Sequence, residues 1–283
     1  MTLKIDLHCH TQHSDGSLSY QALIERAVEK GVDVLAITDH DTTAAHPSAA
    51  SFAKDLPIKI IPAVEISAVC ENQELHIVGL GVDINNQALQ NLLKKNRQIR
   101  AERTVKILEK FQNSGLDDLT SPLEELVNGE VICRSHLAQL LCNQAIVKDF
   151  QRAFKQYLGK KGKAWVPVIW QDFSLVIQAI KDAGGVAILA HPSKYKLSPT
   201  RLGIIIEAFV KAGGEAIEIA YPGLNPSDRA MLVRQVNLHQ LAVSQGSDFH
   251  HPKTAWTELG AFGVNPEIFK VVWQHFGVME TCH

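Results

Sequence analysis

Val186-Ala187-Ile188-Leu189-Ala190-His191-Pro192 is the stretch on which the fold turns. Five apolar residues run unbroken from Gly184-Gly185 to a histidine and a proline. A short apolar run bounded by breakers reads as a strand buried on both faces. On its N-terminal side, Ser174 to Ala183 is helix-like and stops at Gly184-Gly185. On its C-terminal side, Pro199 to Ala212 is a second helix, stopped by Gly213-Gly214. Ala216-Ile217-Glu218-Ile219 and Leu241-Ala242-Val243-Ser244 repeat the strand pattern, and a third helix begins near Asn225-Pro226. Upstream, Ile5-Asp6-Leu7, Val34 to Thr38 and Ile58 to Val64 read as strands. Ser19 to Lys30 reads as a helix with Ser19 as N-cap and Gly31 as stop. Repeated βα units predict a parallel α/β sheet, open or closed into a barrel.

The alternation breaks in the middle. From about Gln87 to Val166 the patterns are helical, and strands resume after Pro167. Gln87 to Phe111 reads as one long helix or two; Ser135 to Asn143 and Lys148 to Leu158 are further helices. The expected organisation is a barrel from residues 1–99 and 167–283, with 100–166 as a helical insertion capping the substrate site. Lys94 to Lys163 holds fourteen Lys or Arg against eight Asp or Glu, a local net of +6 in a chain of net charge -2. Either these are solvated helix faces or the segment meets an anionic substrate. The chain as a whole lacks the positive charge of a protein that coats duplex nucleic acid.

With 283 residues, 46% hydrophobic and 20% charged, the composition is that of an ordinary globular protein. No apolar run nears the ~20 residues of a membrane span, and the N-terminus has no secretory apolar region, so a cytoplasmic location is expected. The five cysteines, Cys9, Cys70, Cys133, Cys142 and Cys282, form no CxxC pair and read as free thiols. The thirteen histidines fall mostly in a few short motifs.

The sharpest of these is His8-Cys9-His10, directly after the first strand. In extended backbone alternate side chains share a direction, so both histidines can face one ion while Cys9 points away. An isolated HxH is weak evidence, but others join it. Asp15 lies in the turn Ser14-Asp15-Gly16; Asp39-His40-Asp41 ends the second strand; Glu65 ends the third; His76 lies in Glu74-Leu75-His76. His191 ends the strand Val186 to Ala190, and Asp248 and His250 follow Leu241 to Ser244. Nearly all sit just past the carboxyl end of a strand, the rim where parallel α/β folds place their sites. Nine ligand-type side chains exceed one ion's needs. They point to two or three divalent ions bridged by a carboxylate such as Glu65, and such a cluster suits displacement at phosphorus. Mixed imidazole and carboxylate donors fit Mn, with Fe or Zn as alternatives. Asp39 and Asp41 could orient His40 or meet ribose hydroxyls, and are read as supporting groups. His13, His46 and His251 are read as loop or supporting groups, His239, His275 and His283 as exposed, and the four tryptophans as packing.

These motifs resemble the polymerase and histidinol phosphatase (PHP) superfamily, a distorted seven-stranded β/α barrel. The resemblance implies one ion at His8, His10, Glu65 and Asp248, a second at Glu65, His76 and His191, and a third at Asp15, His40 and His250. It also implies His191, Glu65 and Asp248 as the catalytic residues. Within the superfamily the stretches Asp6-Leu7-His8-Cys9-His10-Thr11, Leu35 to Ala45, Val64-Glu65-Ile66-Ser67, His76 to Leu80 and Ser244 to His250 are most similar to the bacterial ribonuclease AM group, related to 3′,5′-nucleoside bisphosphate phosphatases. That similarity implies hydrolysis of the 3′-side phosphate ester of a nucleotide bearing a 5′-phosphate. The substrate would be a nucleoside bisphosphate or a short 5′-phosphorylated RNA, with no membrane or protein partner and a monomeric enzyme. Such an enzyme must grip the 5′-phosphate. Arg134-Ser135-His136 is the candidate, since a guanidinium forks onto phosphate oxygens beside a helix start. His136 reads as a phosphate contact, a tenth ligand or a core residue; Lys163 is a weaker candidate. The alternatives are another PHP phosphatase, such as one for histidinol phosphate, an amidohydrolase, or a non-catalytic metal-binding module.

Overall fold

The computed structural model describes residues 3–278. Among them seven strands form one sheet in chain order: β1 (Ile5–Cys9), β2 (Val34–Ile37), β3 (Lys59–Cys70), β4 (Gln73–Leu80), β5 (Val186–Leu189), β6 (Ala216–Ala220) and β7 (Ala242–Gln245). β1, β2 and β3 are parallel, as are β5, β6 and β7. β4 runs against both its neighbours. The all-parallel sheet expected from the sequence is corrected here. β3 does not stop near Glu65 but continues to Cys70, and Glu71 (φ 44°) and Asn72 (φ 65°) turn the chain back into a hairpin. Positive φ at both central residues is the two-residue turn whose twist matches antiparallel strands.

The last strand meets the first. Asp248 N donates to His8 O at 2.8 Å, His10 N to Phe249 O at 2.9 Å, and Gln245 Nε2 to Ile5 O at 2.8 Å. The result is the distorted seven-stranded α/β barrel. Both faces of its strands are covered: in β2, Val34 and Ala36 join one apolar cluster while Leu35 and Ile37 join another. Helices α1 (Tyr20–Glu29) and α2 (His46–Ala53) cover the second cluster, which explains why the strands read as unbroken apolar runs. Ser19 caps α1 as expected, its side chain accepting from Ala22 N. Later come α7 (Phe173–Asp182), α8 (Pro199–Lys211) and α9 (Pro226–His239), packed on the first cluster.

Between β4 and β5 lies α3 (Gln87–Asn113), one continuous helix of 27 residues. Leu89, Leu92 and Leu93 pack into the barrel's cluster. Ile107 and Phe111 pack into a separate cluster with α4 (Thr120–Leu126), α5 (Arg134–Asn143) and the short α6 (Phe150–Ala153). The break at 99/100 therefore falls inside a helix; what changes there is the core the helix packs on. A polar joint marks the changeover. Arg100 donates through Nε to Asp41 Oδ2 and through Nη2 to Ser67 Oγ, both at 2.7 Å, while Asn96 Nδ2 donates to Asp41 Oδ1 at 2.7 Å. No helix among the described residues is long and apolar enough to cross a membrane. Cys282 and His283 lie outside the described residues.

Candidate metal centre and phosphate pocket

The strand geometry of β1 does what its sequence requires. Cys9 Sγ turns away and donates to Ala36 O at 3.3 Å, while His8 and His10 share the other side with ring centroids 5.2 Å apart. Asp15 sits on a tight turn whose Ser14 N and Gly16 N both donate to Thr11 O. A Cβ at Gly16 would stand 2.2 Å from His10 O, so only glycine lets the turn close here. His40 follows β2, His191 follows β5, and Asp248 and His250 follow β7. Glu65 lies mid-strand in β3, opposite Val78, and reaches the rim because its strand overshoots it. His76 lies near the start of the reversed β4, paired with Ser67. His191 (φ 30°) and Asp248 (φ 50°) hold left-handed backbone, as does Asp41 (φ 52°); unfavourable backbone of this kind concentrates at functional sites.

All nine side chains converge. Glu65 Oε1 lies 2.9 Å from His76 Nδ1, 2.9 Å from His191 Nε2 and 3.4 Å from His8 Nε2. Its Oε2 lies 3.0 Å from His40 Nδ1 and 3.4 Å from His10 Nε2. Asp248 Oδ1 lies 3.6 Å from His8 Nε2 and 3.4 Å from His10 Nε2. Asp15 Oδ1 gathers His40 Nε2 at 3.7 Å and His250 Nε2 at 3.4 Å. Burial opposes the charge on Glu65, yet the imidazoles of His76 and His8 hold it well below the ordinary carboxylate range. Burial likewise opposes charge on Asp15, and His250 holds it low. Burial pushes His40 well below the usual imidazole range and lowers His191, favouring the neutral, lone-pair-bearing form.

Such a cluster fits divalent ions. Buried polar atoms nearly always have hydrogen-bond partners. His8 Nε2, His10 Nε2, Asp15 Oδ1 and Glu65 Oε2 are buried, point into this one space, and have none. Four overlapping groups could each hold an ion: His10, Asp15, His40 and His250; His8, Glu65 and His191; His8, His10 and Asp248; His40, Glu65 and His76.

Sequence reasoning missed the residue that orients two of these histidines. Glu218, in β6, accepts from His8 at Nδ1 (2.7 Å) and from the His191 backbone N–H (2.7 Å). Its signal was a lone carboxylate inside the buried run Ala216 to Ala220. Fixing one imidazole nitrogen presents the other to an ion. Glu218→Gln is expected to weaken metal affinity about 10- to 100-fold. Competition against a chelator measures this, and unchanged affinity removes the assigned role. Among the described residues neither Asp39 nor Asp41 hydrogen-bonds the His40 side chain; both hold neighbouring segments instead. Asp39 accepts from Thr11 N, Thr11 Oγ1 and Ser14 Oγ. Asp41 receives Arg100, Asn96 and Ser67 N. Lys194, also missed, pairs with Asp248 Oδ2.

Beside the histidines is a half-enclosed cavity of about 160 Å3, with Asp15, His40 and His76 on one wall. Arg134 and Ser135 line it from the first turn of α5, and Ser135 Oγ donates to Asp15 Oδ2. Arg134 lies 3.7 Å from Glu74 Oε2. Arg103, on α3, joins them with its guanidinium over the Trp165 ring; burial and the neighbouring Arg134 push it down to about 10. A helical arginine carries no local signal, so only packing reveals it. His136 lines neither this cavity nor the cleft beside it: its Nδ1 accepts from Cys133 N at 3.1 Å and caps α5. Lys163 is exposed with Nζ over the Tyr157 ring, and lines neither as well. His46 accepts from Ala63 N, a structural contact. Trp170 and Trp273 are packed as expected, but Trp256 is 74% exposed.

Fold and site together define an α/β barrel with a carboxylate-bridged polyhistidine centre at its rim. The chain belongs to the PHP domain family, which matches residues 6–164. It is 38% identical to the 5′-3′ exoribonuclease Rnm of Escherichia coli (strain K12), over 95% of this chain and 92% of that one. It is 33% identical to the 3′,5′-nucleoside bisphosphate phosphatase of Chromobacterium violaceum, over 95% of each chain. A solved structure described as an amidohydrolase from Chromobacterium violaceum, with bound sulfate and no metal, superposes with a TM-score of 0.91 at 32% identity, covering 97% of this chain and 96% of that one.

Proposed function

We propose that this chain is a metal-dependent phosphoesterase that cleaves the bond between phosphorus and the 3′-oxygen of a nucleotide carrying a 5′-phosphate. The reaction turns 3′,5′-nucleoside bisphosphates into 5′-monophosphates and trims short 5′-phosphorylated RNA from its 5′ end. One observation carries this reading: the polyhistidine centre opens directly into a cavity lined by arginines. By name, one relative above is a 5′-3′ exoribonuclease and the other a 3′,5′-nucleoside bisphosphate phosphatase, which supports it.

His8, His10, Glu65 and Asp248 would hold one divalent ion, Glu65, His76 and His191 a second, and Asp15, His40 and His250 a third, with Mn the best fit to the mixed donors. When bound, such ions lower the pKa of water toward ~7 and stabilise charge on the phosphoryl and leaving oxygens. The chain's own residues do the rest. Glu218 and Asp39 hold the ligating loops, and His191, Glu65 and Asp248 line the space where the scissile ester must lie. Arg103, Arg134 and Ser135 take the 5′-phosphate, and the arginines fork onto its oxygens. The helical segment 100–166 thus acts as a substrate cap, and its positive charge suits an anionic ligand. His136 keeps the start of α5 in place, and Lys163 adds long-range attraction. All these residues come from one chain, so a monomer suffices, working in the cytoplasm on nucleotides and RNA ends.

Incubation with manganese is expected to yield AMP from adenosine 3′,5′-bisphosphate and 5′-mononucleotides from a short 5′-phosphorylated RNA. Absence of product from both, with metal shown to be bound, overturns the reading.

A further inference from the structure

A second, more open cleft of about 470 Å3 meets the same histidines from the other side. It shares His40, Glu74, His76 and Arg134 with the half-enclosed cavity, but the rest of its lining differs. Ile107, Leu137 and Phe154 add apolar lining to the half-enclosed cavity and are absent from the cleft. The open cleft has a lysine on each flank: Lys194 from the barrel and Lys160 from the insertion. Lys194 is already paired with Asp248. Lys160 is exposed and takes part in none of the ion pairs among the described residues.

The backbone under Lys160 is held in place. The segment Gly159-Lys160-Lys161-Gly162 folds back on a π-helical turn, Phe154–Leu158. Gly159 N donates to Phe154 O at 2.8 Å, Gly162 N to Gly159 O at 2.7 Å, and Ala164 N to Tyr157 O at 2.9 Å. A Cβ at Gly162 would stand 2.3 Å from Tyr157 O, so the close return needs glycine. π-helical turns are rare and frequently mark functional positions.

We propose that the open cleft receives the RNA chain that continues beyond the scissile phosphate, with Lys160 contacting its backbone. This rests on the phosphoesterase reading above and adds a direction to it. With a 5′-phosphate in the half-enclosed cavity and the 3′-oxygen at the histidines, the larger and more open cleft is the route that offers room for the rest of an RNA. A nucleoside bisphosphate ends at the scissile phosphate and leaves that route empty. Lys160 is therefore a specificity residue for chain over mononucleotide.

The test compares the unaltered protein and Lys160→Glu on adenosine 3′,5′-bisphosphate and a 5′-phosphorylated RNA pentamer. The ratio of kcat/KM on RNA to kcat/KM on bisphosphate is expected to fall about fivefold, the upper range for one exposed ionic contact. Lys160→Arg should keep the ratio. The log–log dependence of RNA kcat/KM on salt should flatten by about 0.7, the contribution of one phosphate contact on a single strand. An unchanged ratio, or an equal fall with both substrates, overturns the assignment while the phosphoesterase reading stands. Failure of the unaltered protein on both substrates overturns both.

Discussion

Glu65→Gln is expected to abolish turnover, lowering kcat by at least about a thousandfold, equivalent to roughly 4 kcal/mol of lost transition-state stabilisation. The argument is one of charge. Glu65 is fully buried, and its two oxygens face five imidazoles: Oε1 those of His8, His76 and His191, Oε2 those of His10 and His40. Those oxygens stand at the overlap of two of the four ligand groups, so one carboxylate serves both. A neutral amide keeps the shape and loses the anion that lets neighbouring cations share the site. Its NH2 also points donors at imidazole nitrogens that must present lone pairs. Metal analysis of the purified variant should show fewer ions per chain, and a thermal melt run beside it separates lost metal from lost fold. Full metal content with kcat within tenfold of the unaltered protein is the result that sinks the bridging role.

The second large effect concerns the far end of the substrate. Arg134→Ala is expected to lower kcat/KM about 10- to 100-fold on 5′-phosphorylated substrates, the range for losing one charge-assisted, two-pronged hydrogen bond. Substrates ending in a 5′-hydroxyl should lose far less. Arg103→Met should act in the same direction, because both guanidiniums line one cavity and, among the described residues, Arg134 pairs only with Glu74. Paired kinetics on two RNAs that differ only in the 5′-phosphate decide the matter. Equal losses on both would show that Arg134 supports the fold of α5 rather than binding phosphate.

These two predictions differ in how they became legible. Every residue around Glu65 was readable from sequence, because a metal cluster needs particular side-chain types and the βα rhythm puts strand ends on one rim. The HxH pair even fixed its own geometry, since period-two alternation turns Cys9 away. The arginine-lined cavity was only half readable. Arg134-Ser135 stood out as a short motif, but Arg103 is one arginine among several on a long polar helix. It enters the cavity because α3 continues unbroken from barrel to insertion. Glu218 was hidden for a similar reason: its partners His8 and His191 are distant in sequence and meet only through the sheet order. Lys160 and Lys163 lie three residues apart in one basic stretch, and the backbone return at Gly159 and Gly162 decides which one reaches the cleft.

By itself, then, the sequence determined the α/β class and the nine side chains that converge. Each follows from local periodicity or residue chemistry, which act over a few residues. Tertiary structure alone decided that β4 is reversed, that Glu65 reaches the centre from mid-strand, and which basic side chains line the cavity and the cleft. Those outcomes depend on contacts between segments far apart in the chain, and local patterning places no constraint on them.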